Sequence, residues 1–518
     1  MARKYARYCA SGNISVSELV AALASPKRAL ADFTPIGKAA SERRVLCDTL
    51  DWRFDAQGWL MELRTANNAT SAILTNSRKS TFVGSLPFMT LAPDNKVTCV
   101  PIAQINPESV RSRAADIALE RAVIALCELQ VSSIELCHYD REGRLDATVE
   151  VVRSPAFDET WISIFTDSWD ESLHDRAATW FKGRIRNLWE VEEGHDYYDS
   201  ALTNARRRRG DYAVKTSIAP KKGEHLTQSL AAFLTRSWSN FNLAYTITKL
   251  ECDDESLHDL RVILRTTRAV LEPIVSIYKG GILKELLAET KSLAASTNRA
   301  RDIDVVVAYL SDRHPEPELG ELLFRLQAQV RGELRQAISA DLSKLERLWQ
   351  SAIAFLIAGS HGVYKKANRD DDFLHAKTAE FIKSAIEAQK LICQKGVIAL
   401  AELDDPPPAK LHDLRKDFKR LRYLLESFDI SRTPREERNI SQAKNLQTQL
   451  GLFQDAEVRL EFVINLAADH HSELRTTLGP RLIAEAVVGH KEAQDNAVAT
   501  LRALARTPGW KSGQGKQR

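Results

Sequence analysis

One histidine and three cations recur twice in this chain at the same spacing. The pentapeptide Leu257-His258-Asp259-Leu260-Arg261 returns as Leu411-His412-Asp413-Leu414-Arg415, an offset of 412 − 258 = 154 residues. The match runs on: His258, Arg261, Arg265 and Arg268 stand at i, i+3, i+7 and i+10, and His412, Arg415, Lys419 and Arg422 repeat those positions. Offsets of three, four and seven place side chains on one helical face, so each copy presents a ladder of one His and three cations. Like charges so arranged repel by roughly a few tenths of a kcal/mol per neighbouring pair unless anions offset them. Phosphate groups would do so through charge-assisted hydrogen bonds, bidentate where the donor is Arg. His258 and His412 could donate to phosphate from one ring nitrogen or be satisfied structural histidines, and the spacing leaves both readings open. Further on, Lys291 and Lys444 lie 33 and 32 residues after the two histidines, and Arg301-Asp302 corresponds to Gln454-Asp455.

Helices must position these ladders. From Leu226 onward the apolar period is 3.6, broken by short Gly, Pro and Asp clusters such as Asp404-Asp405-Pro406-Pro407-Pro408. Opposite the cations run Leu260, Ile263, Leu264, Val270 and Leu271 in the first copy and Leu414, Phe418, Leu421, Leu424 and Leu425 in the second, enough to hold each helix in a bundle. The competing reading, solvated faces paired with surface acids, explains one ladder more easily than two identical ones.

The first part of the chain has a different period. Trp59, Met61 and Leu63 alternate with Leu60, Glu62 and Arg64; Ile134 and Leu136 with Glu135 and Cys137; Val149 and Val151 with Glu150 and Val152. Such alternation predicts half-buried antiparallel strands, with Asp140-Arg141-Glu142-Gly143 as a hairpin turn. The polar stretch around Arg206-Arg207-Arg208-Arg209-Gly210 and Pro220-Lys221-Lys222-Gly223 reads as a solvated connector. The expected organisation is a β-rich domain over residues 1–200, a basic linker over 201–224 and a helical domain over 225–510, with repeats at about 225–345 and 370–508.

Composition limits what else the chain can be. At 518 residues, 44% hydrophobic and 27% charged, it has material for more than one ordinary globular core, and a net charge of +3 is too small to select a partner by itself. Seven cysteines with no CxxC pair argue against a zinc module or disulfide framework and read as thiols in a reducing compartment. No run approaches the roughly 20 apolar residues of a membrane helix and no secretory signal opens the chain, so a cytoplasmic location without membrane association is expected.

Several separated motifs in order carry a family resemblance. His258-xx-Arg261-xxx-Arg265-xx-Arg268, then Arg301-Asp302-Ile303-Asp304-Val305, His412-xx-Arg415-Lys416-xx-Lys419-Arg420-Leu421-Arg422-Tyr423, Lys444-xx-Gln447 and Leu450-Gly451 resemble the CHAD domain, the conserved histidine α-helical domain, over about residues 226–507. The resemblance implies two pseudo-symmetric four-helix bundles whose basic faces bind inorganic polyphosphate, and association with polyphosphate granules. Motif by motif it carries over His258, Arg261, Arg265, Arg268, Lys291 and Arg301, and His412, Arg415, Lys416, Lys419, Arg422 and Lys444, as polyphosphate-binding residues. Thr267 stands where a basic residue is frequent, which would weaken that face.

Residues 48–64, DTLDWRFDAQGWLMELR, are similar to an early strand region of the CYTH, or triphosphate tunnel, fold, making the whole an α+β multidomain protein with a degenerate CYTH-like barrel before the all-α CHAD domain. Hydrolysis in that fold needs inward carboxylates for Mg²⁺ or Mn²⁺ and inward cations for phosphate. The ExExK motif is absent, Glu62 replaces the first Arg of the LRxR pair so that only Arg64 remains, Thr160-Trp161-Ile162-Ser163-Ile164-Phe165 lacks acids, and Glu135, Asp146 and Glu150 do not make a ligand set. The expectation is therefore a polyphosphate binder that is not an enzyme and has no catalytic residue, metal or cofactor. The alternative is a metal-dependent triphosphatase. Nucleic acid, a third polyanion, is disfavoured because Tyr423 is the lone aromatic among the matched positions.

Overall fold

The computed structural model describes residues 4–11, 34–67, 69–76, 81–86, 98–139, 145–166, 191–193, 197–205, 207–212, 214–250, 255–277, 281–339, 342–360, 376–428, 433–470, 477–507 and 509–510, with residues 14, 15, 18, 183 and 474 besides. Two units of dense internal contact emerge: Met1–Ala213 with Leu243–Ser256, and Val214–Asn242 with Leu257–Arg518.

Among the described residues the first unit holds ten strands: β1 (Lys4–Ser11), β2 (Thr34–Thr49), β3 (Trp59–Ala66), β4 (Ala69–Asn76), β5 (Thr81–Leu86), β6 (Cys99–Val100), β7 (Val123–Tyr139), β8 (Leu145–Arg153), β9 (Glu159–Thr166) and β10 (Val191–Glu193). They form one sheet in the order β10-β1-β9-β8-β7-β2-β3-β4-β5, with β6 also on β7, and every pairing is antiparallel. The turn expected at residues 140–143 lies outside the described residues, but Tyr139 pairs with Leu145 on either side of it. Three α-helices are described beside these strands, α1 (Arg53–Ala56), α2 (Glu108–Ala118) and α3 (Tyr197–Asn204), with a short 3-10 turn at Ile102–Gln104.

β7 alternates buried and exposed residues as a period of two predicts, whereas stretches of β2, β3 and β8 are buried on both faces. Val45, Cys47, Met61, Leu63, Ala72 and Leu74 pack against Val110, Ala114 and Ile117 of α2, as the period of two requires. Yet Arg44, Glu62 and Glu150, between those apolar residues, are also buried. Their polarity marks an interior charge cluster and not a solvent face, so hydrophobic alternation misread their exposure. Nor is the Arg run a solvated connector at Arg207 and Arg209. Arg207 makes two bonds to Asp211, and Arg209 reaches both Asp55 and Asp199 at 2.8 and 2.7 Å. Cys9, Cys47, Cys127, Cys137 and Cys393 are not in disulfides, whereas Cys99 is disulfide-bonded, which the lack of CxxC spacing did not anticipate.

Ten helices are described from Leu226 to Ala505: α4 (Leu226–Leu250), α5 (Glu255–Ile277), α6 (Gly281–Ser296), α7 (Asn298–Arg313), α8 (Pro317–Ser339), α9 (Ser343–Ser360), α10 (Thr378–Ala401), α11 (Pro408–Ser427), α12 (Pro434–Asp469) and α13 (Leu478–Ala505). Local chemistry sets their starts. α11 opens with Pro408 in its first turn, and α12 with Pro434 behind a Thr433–Glu436 capping box. The second repeat is a four-helix bundle, with Val397 of α10, Leu414 and Phe418 of α11, Leu446 and Leu450 of α12 and Leu501 of α13 in one core. In the first repeat, Trp238 and Phe241 of α4 lie 5.2 and 5.7 Å from Trp349 of α9, whose indole N–H donates to Leu234 O at 2.9 Å.

The copies differ in continuity. α12 is unbroken for 36 residues, whereas its counterpart divides into α6 and α7 at Thr297, which is fully buried and turns its hydroxyl onto Ala294 O. A hydroxyl bonding a carbonyl one turn back competes with the helical ladder, and Leu450, the second-repeat counterpart, has none to offer. α7 and α8 instead join the far halves of α12 and α13 in a further apolar cluster around Leu310, Leu322, Val463 and Leu482. No described helix is long and apolar enough to cross a membrane.

Candidate functional site

The two ladders lie on α5 and α11, and their apolar sides are sunk in the bundle: Leu260, Ile263, Leu264, Val270 and Leu271 are buried, as are Leu414, Phe418, Leu421 and Leu424. What remains of both helices faces a common cavity of about 520 Å³. The first repeat lines it with Arg261, Arg265 and Arg268 of α5 and Lys291 of α6; α11 contributes Lys416, Lys419 and Arg420. Among the described residues, seven cations thus share the space with one carboxylate, Glu272.

Some of these cations are partnered and others are not. Lys291 Nζ lies 3.0 Å and Arg420 Nε 3.5 Å from the two oxygens of Glu272, which therefore links the repeats. Arg261 donates to Thr297 Oγ1 and Asn298 Oδ1 at 2.6 and 3.0 Å, at the break between α6 and α7. The Arg265 guanidinium sits 4.6 Å above the Tyr423 ring, a cation–π contact between α5 and α11. Nε of Arg265, Arg268 and Arg415 is a buried donor with no hydrogen-bond partner, a state native proteins rarely leave unanswered. Burial, then the neighbouring Arg415 and Arg265, pushes the Lys419 ammonium down to about 8. Burial also draws the Arg261 and Arg415 guanidiniums below their ordinary value, against the pull of Asp302 and of Asp455, its counterpart 153 residues on. The site therefore holds more positive charge than its own acids compensate.

Six of the twelve residues singled out from the sequence line the cavity: Arg261, Arg265, Arg268, Lys291, Lys416 and Lys419. The other six do not. His258, Arg301 and Lys444 are exposed. His412 donates through Nδ1 to Gln454 Oε1, so that histidine has a partner within its own bundle. Arg415 lies beside Lys419, while Arg422 is held by Glu426 at 2.7 Å and Gln447 at 3.1 Å. Thr267 is no weakness of the basic face, because it is fully buried and, like its counterpart Leu421, turned to the core. Two charged lining residues are not among those twelve. Arg420 lies off the stripe common to both repeats, and Glu272 lies beyond the matched ladder, although it recurs as Glu426 at the offset of 154 and extending the self-comparison finds it.

The first unit has its own charge cluster. Arg44 of β2 donates to Glu150 Oε1 of β8 at 2.6 Å and to Glu42 at 2.8 Å, and Arg64 of β3 reaches the same Glu150 oxygen at 2.8 Å while also pairing with Glu62. From α3, Tyr197 and Tyr198 donate to Glu62 Oε2 at 2.8 and 2.6 Å. Burial alone would raise the Glu62 carboxyl, but Arg64, Arg44 and the two tyrosines hold it at about 2; Glu150 is lowered by Arg44 and Arg64 in the same way. These carboxylates are already neutralised by arginine. Among the described residues no group of three or more His, Cys, Asp or Glu is placed to hold a metal ion. Asp48, from the segment similar to the tunnel fold, caps a turn, accepting from the backbone N–H groups of Thr49, Phe54 and Asp55 at 2.7 to 2.9 Å. Its carboxyl is raised by burial to about 6.

Residues 243–464 match the family model of the CHAD domain. The helical region carries a CHAD domain. Every residue lining the cavity falls inside the matched span. The chain is also similar to the CHAD domain of known crystal structure from the plant Ricinus communis, with 20% identity over 56% of this chain and 96% of that chain and a TM-score of 0.45. No curated protein matches. The antiparallel sheet before the CHAD domain is consistent with a CYTH-like barrel.

Proposed function

We propose that this protein binds inorganic polyphosphate in the CHAD cavity and does so without catalysis. The observation that carries the reading is the convergence of seven Lys and Arg side chains from both ladders on one space with a single carboxylate. Arginine forks suit phosphate oxygens, and a linear polymer brings a charge to each successive cation, which a single phosphate does not. Buried guanidinium donors without partners gain hydrogen bonds when such a ligand enters. Among the described residues Tyr423 is the one aromatic lining the cavity, and Arg265 covers it, which leaves no open stacking platform for bases among them.

Calorimetric titration with medium-chain polyphosphate tests this. The triple substitution Arg261→Ala, Arg265→Ala and Lys419→Ala should weaken binding at least about 100-fold with unchanged circular dichroism. Unchanged affinity in a folded variant would overturn the reading, as would preference for single-stranded or duplex nucleic acid over polyphosphate at equal salt. A protein of this function is expected in the cytoplasm, at polyphosphate granules, and imaging of the tagged chain against stained granules checks that. The absence of catalysis is supported by the arginine-paired state of Glu62 and Glu150, and no metal or other cofactor is proposed. Phosphate release from tripolyphosphate by the full chain with Mg²⁺ or Mn²⁺ would instead establish the triphosphatase alternative.

A further inference from the structure

Duplication should give two equivalent grooves, one beside each ladder, yet the residues that complete them differ. Building on the polyphosphate reading, we propose that the site is one-sided: the polyanion lies against α5, α6 and one flank of α11, and the counterpart groove of the second repeat takes none. Exchanging each residue for its partner 154 positions away converts Lys416 and Arg420, which line the cavity, into Val262 and Thr266, both buried. The counterpart groove therefore lacks two cations on the helix that faces its ladder.

The ladders themselves are also in different states. In the first repeat Arg268 has Ala294 opposite and keeps a buried Nε without a partner. In the second, the equivalent Arg422 is already satisfied by Glu426 and by Gln447, which stands where Ala294 does. A phosphate entering there would have to displace two existing bonds to win one guanidinium. Space decides the matter in the same direction. Val262, Thr266 and Glu426, with Arg265 and Tyr423 that also border the open cavity, enclose only about 10 Å³, against about 520 Å³ on the side of Lys416 and Arg420. One groove is open and cationic; the other is filled, and its Arg422 is already paired, although Arg415 Nε keeps no partner.

The test compares two double variants of the full chain, titrated with medium-chain polyphosphate. Lys416→Val with Arg420→Thr gives α11 the residues of its counterpart and should weaken binding about 30-fold or more and flatten its salt dependence, since each lost phosphate contact releases fewer counterions. Lys416→Gln with Arg420→Gln repeats the measurement with little change in side-chain shape, so an effect on folding is told apart from one on binding. Arg422→Ala with Lys444→Ala should change affinity by less than about threefold, and the wild-type stoichiometry should be one groove per chain. Equal losses for the two pairs, or two independent sites per chain, would overturn one-sidedness while leaving polyphosphate binding intact. No binding by the wild type would overturn the reading beneath it.

Discussion

Lys419 is a buried ammonium among arginines, and its behaviour follows from that crowding. With its pKa at about 8 instead of 10.5, it is largely charged at pH 7 and largely neutral at pH 9. A bound polyanion favours the charged form, so affinity is highest below pH 8 and is lost as pH rises through that value. The expected loss between pH 7 and 9 is on the order of tenfold, and Lys419→Arg should flatten the profile. Glu272 works in the opposite sense, as an internal anion on Lys291 and Arg420; Glu272→Gln should tighten polyphosphate binding several-fold in the same titration. Thr267 supplies a third expectation. Its hydroxyl is buried without a hydrogen bond, so Thr267→Val should leave stability unchanged or raise it by about 1 kcal/mol in a thermal melt. The ladder cations were legible in the sequence because duplication marks them twice. Arg420 was not, since a residue present in one copy alone gives no echo, and neither were the bonds of His412 to Gln454 and of Arg422 to Gln447, whose partners come from another helix; the Arg422–Glu426 pair, four residues apart on α11, was within reach of spacing alone.

At the scale of elements, the helical period located the amphipathic faces of α5 and α11 well, because a continuous apolar stripe of Leu and Ile has one place to go. Continuity was harder to read. Lys291 and Lys444 match by position, yet one lies ahead of the break at Thr297 and the other within an unbroken α12. That break puts Thr297 and Asn298 within reach of Arg261, so an irregularity in one repeat orients a cation of the site. The second bundle shows how firmly α11 is held: Phe418 is buried and stacks on Trp510 at 5.4 Å. Phe418→Ala should cost about 3 to 5 kcal/mol by chemical denaturation and weaken polyphosphate binding as α11 loosens. In the sheet, a period of two found β3, β7 and β8, but it cannot tell a polar face in water from one folded inward, and Glu62 was misplaced for that reason.

Across the whole molecule, charge is managed in two contrary ways. The CHAD cavity leaves cations in excess, whereas the interior of the sheet matches Arg44 and Arg64 to Glu62, Glu150 and Glu42. Acid should therefore act first on the sheet. Glu62 has a folded value of about 2 against an ordinary 4.5, so its stabilisation is complete above pH 4.5 and disappears as pH falls toward 2; the shift corresponds to roughly 3 kcal/mol. Asp48 is raised to about 6 and opposes this, favouring the folded sheet at lower pH and losing that advantage as pH rises through 6. Thermal melts from pH 2.5 to 7 should show the sheet transition falling below pH 4.5, and polyphosphate should raise the transition of the helical unit. The paired interior also constrains how this sequence can change over time. Replacing Glu62 or Glu150 alone leaves Arg44 and Arg64 one carboxylate short, a loss that the pairs remaining in the cluster only partly offset, while replacing an acid together with an arginine keeps the balance. In sequences descended from this one, Arg44, Glu62, Arg64 and Glu150 should consequently be inherited or exchanged as linked sets.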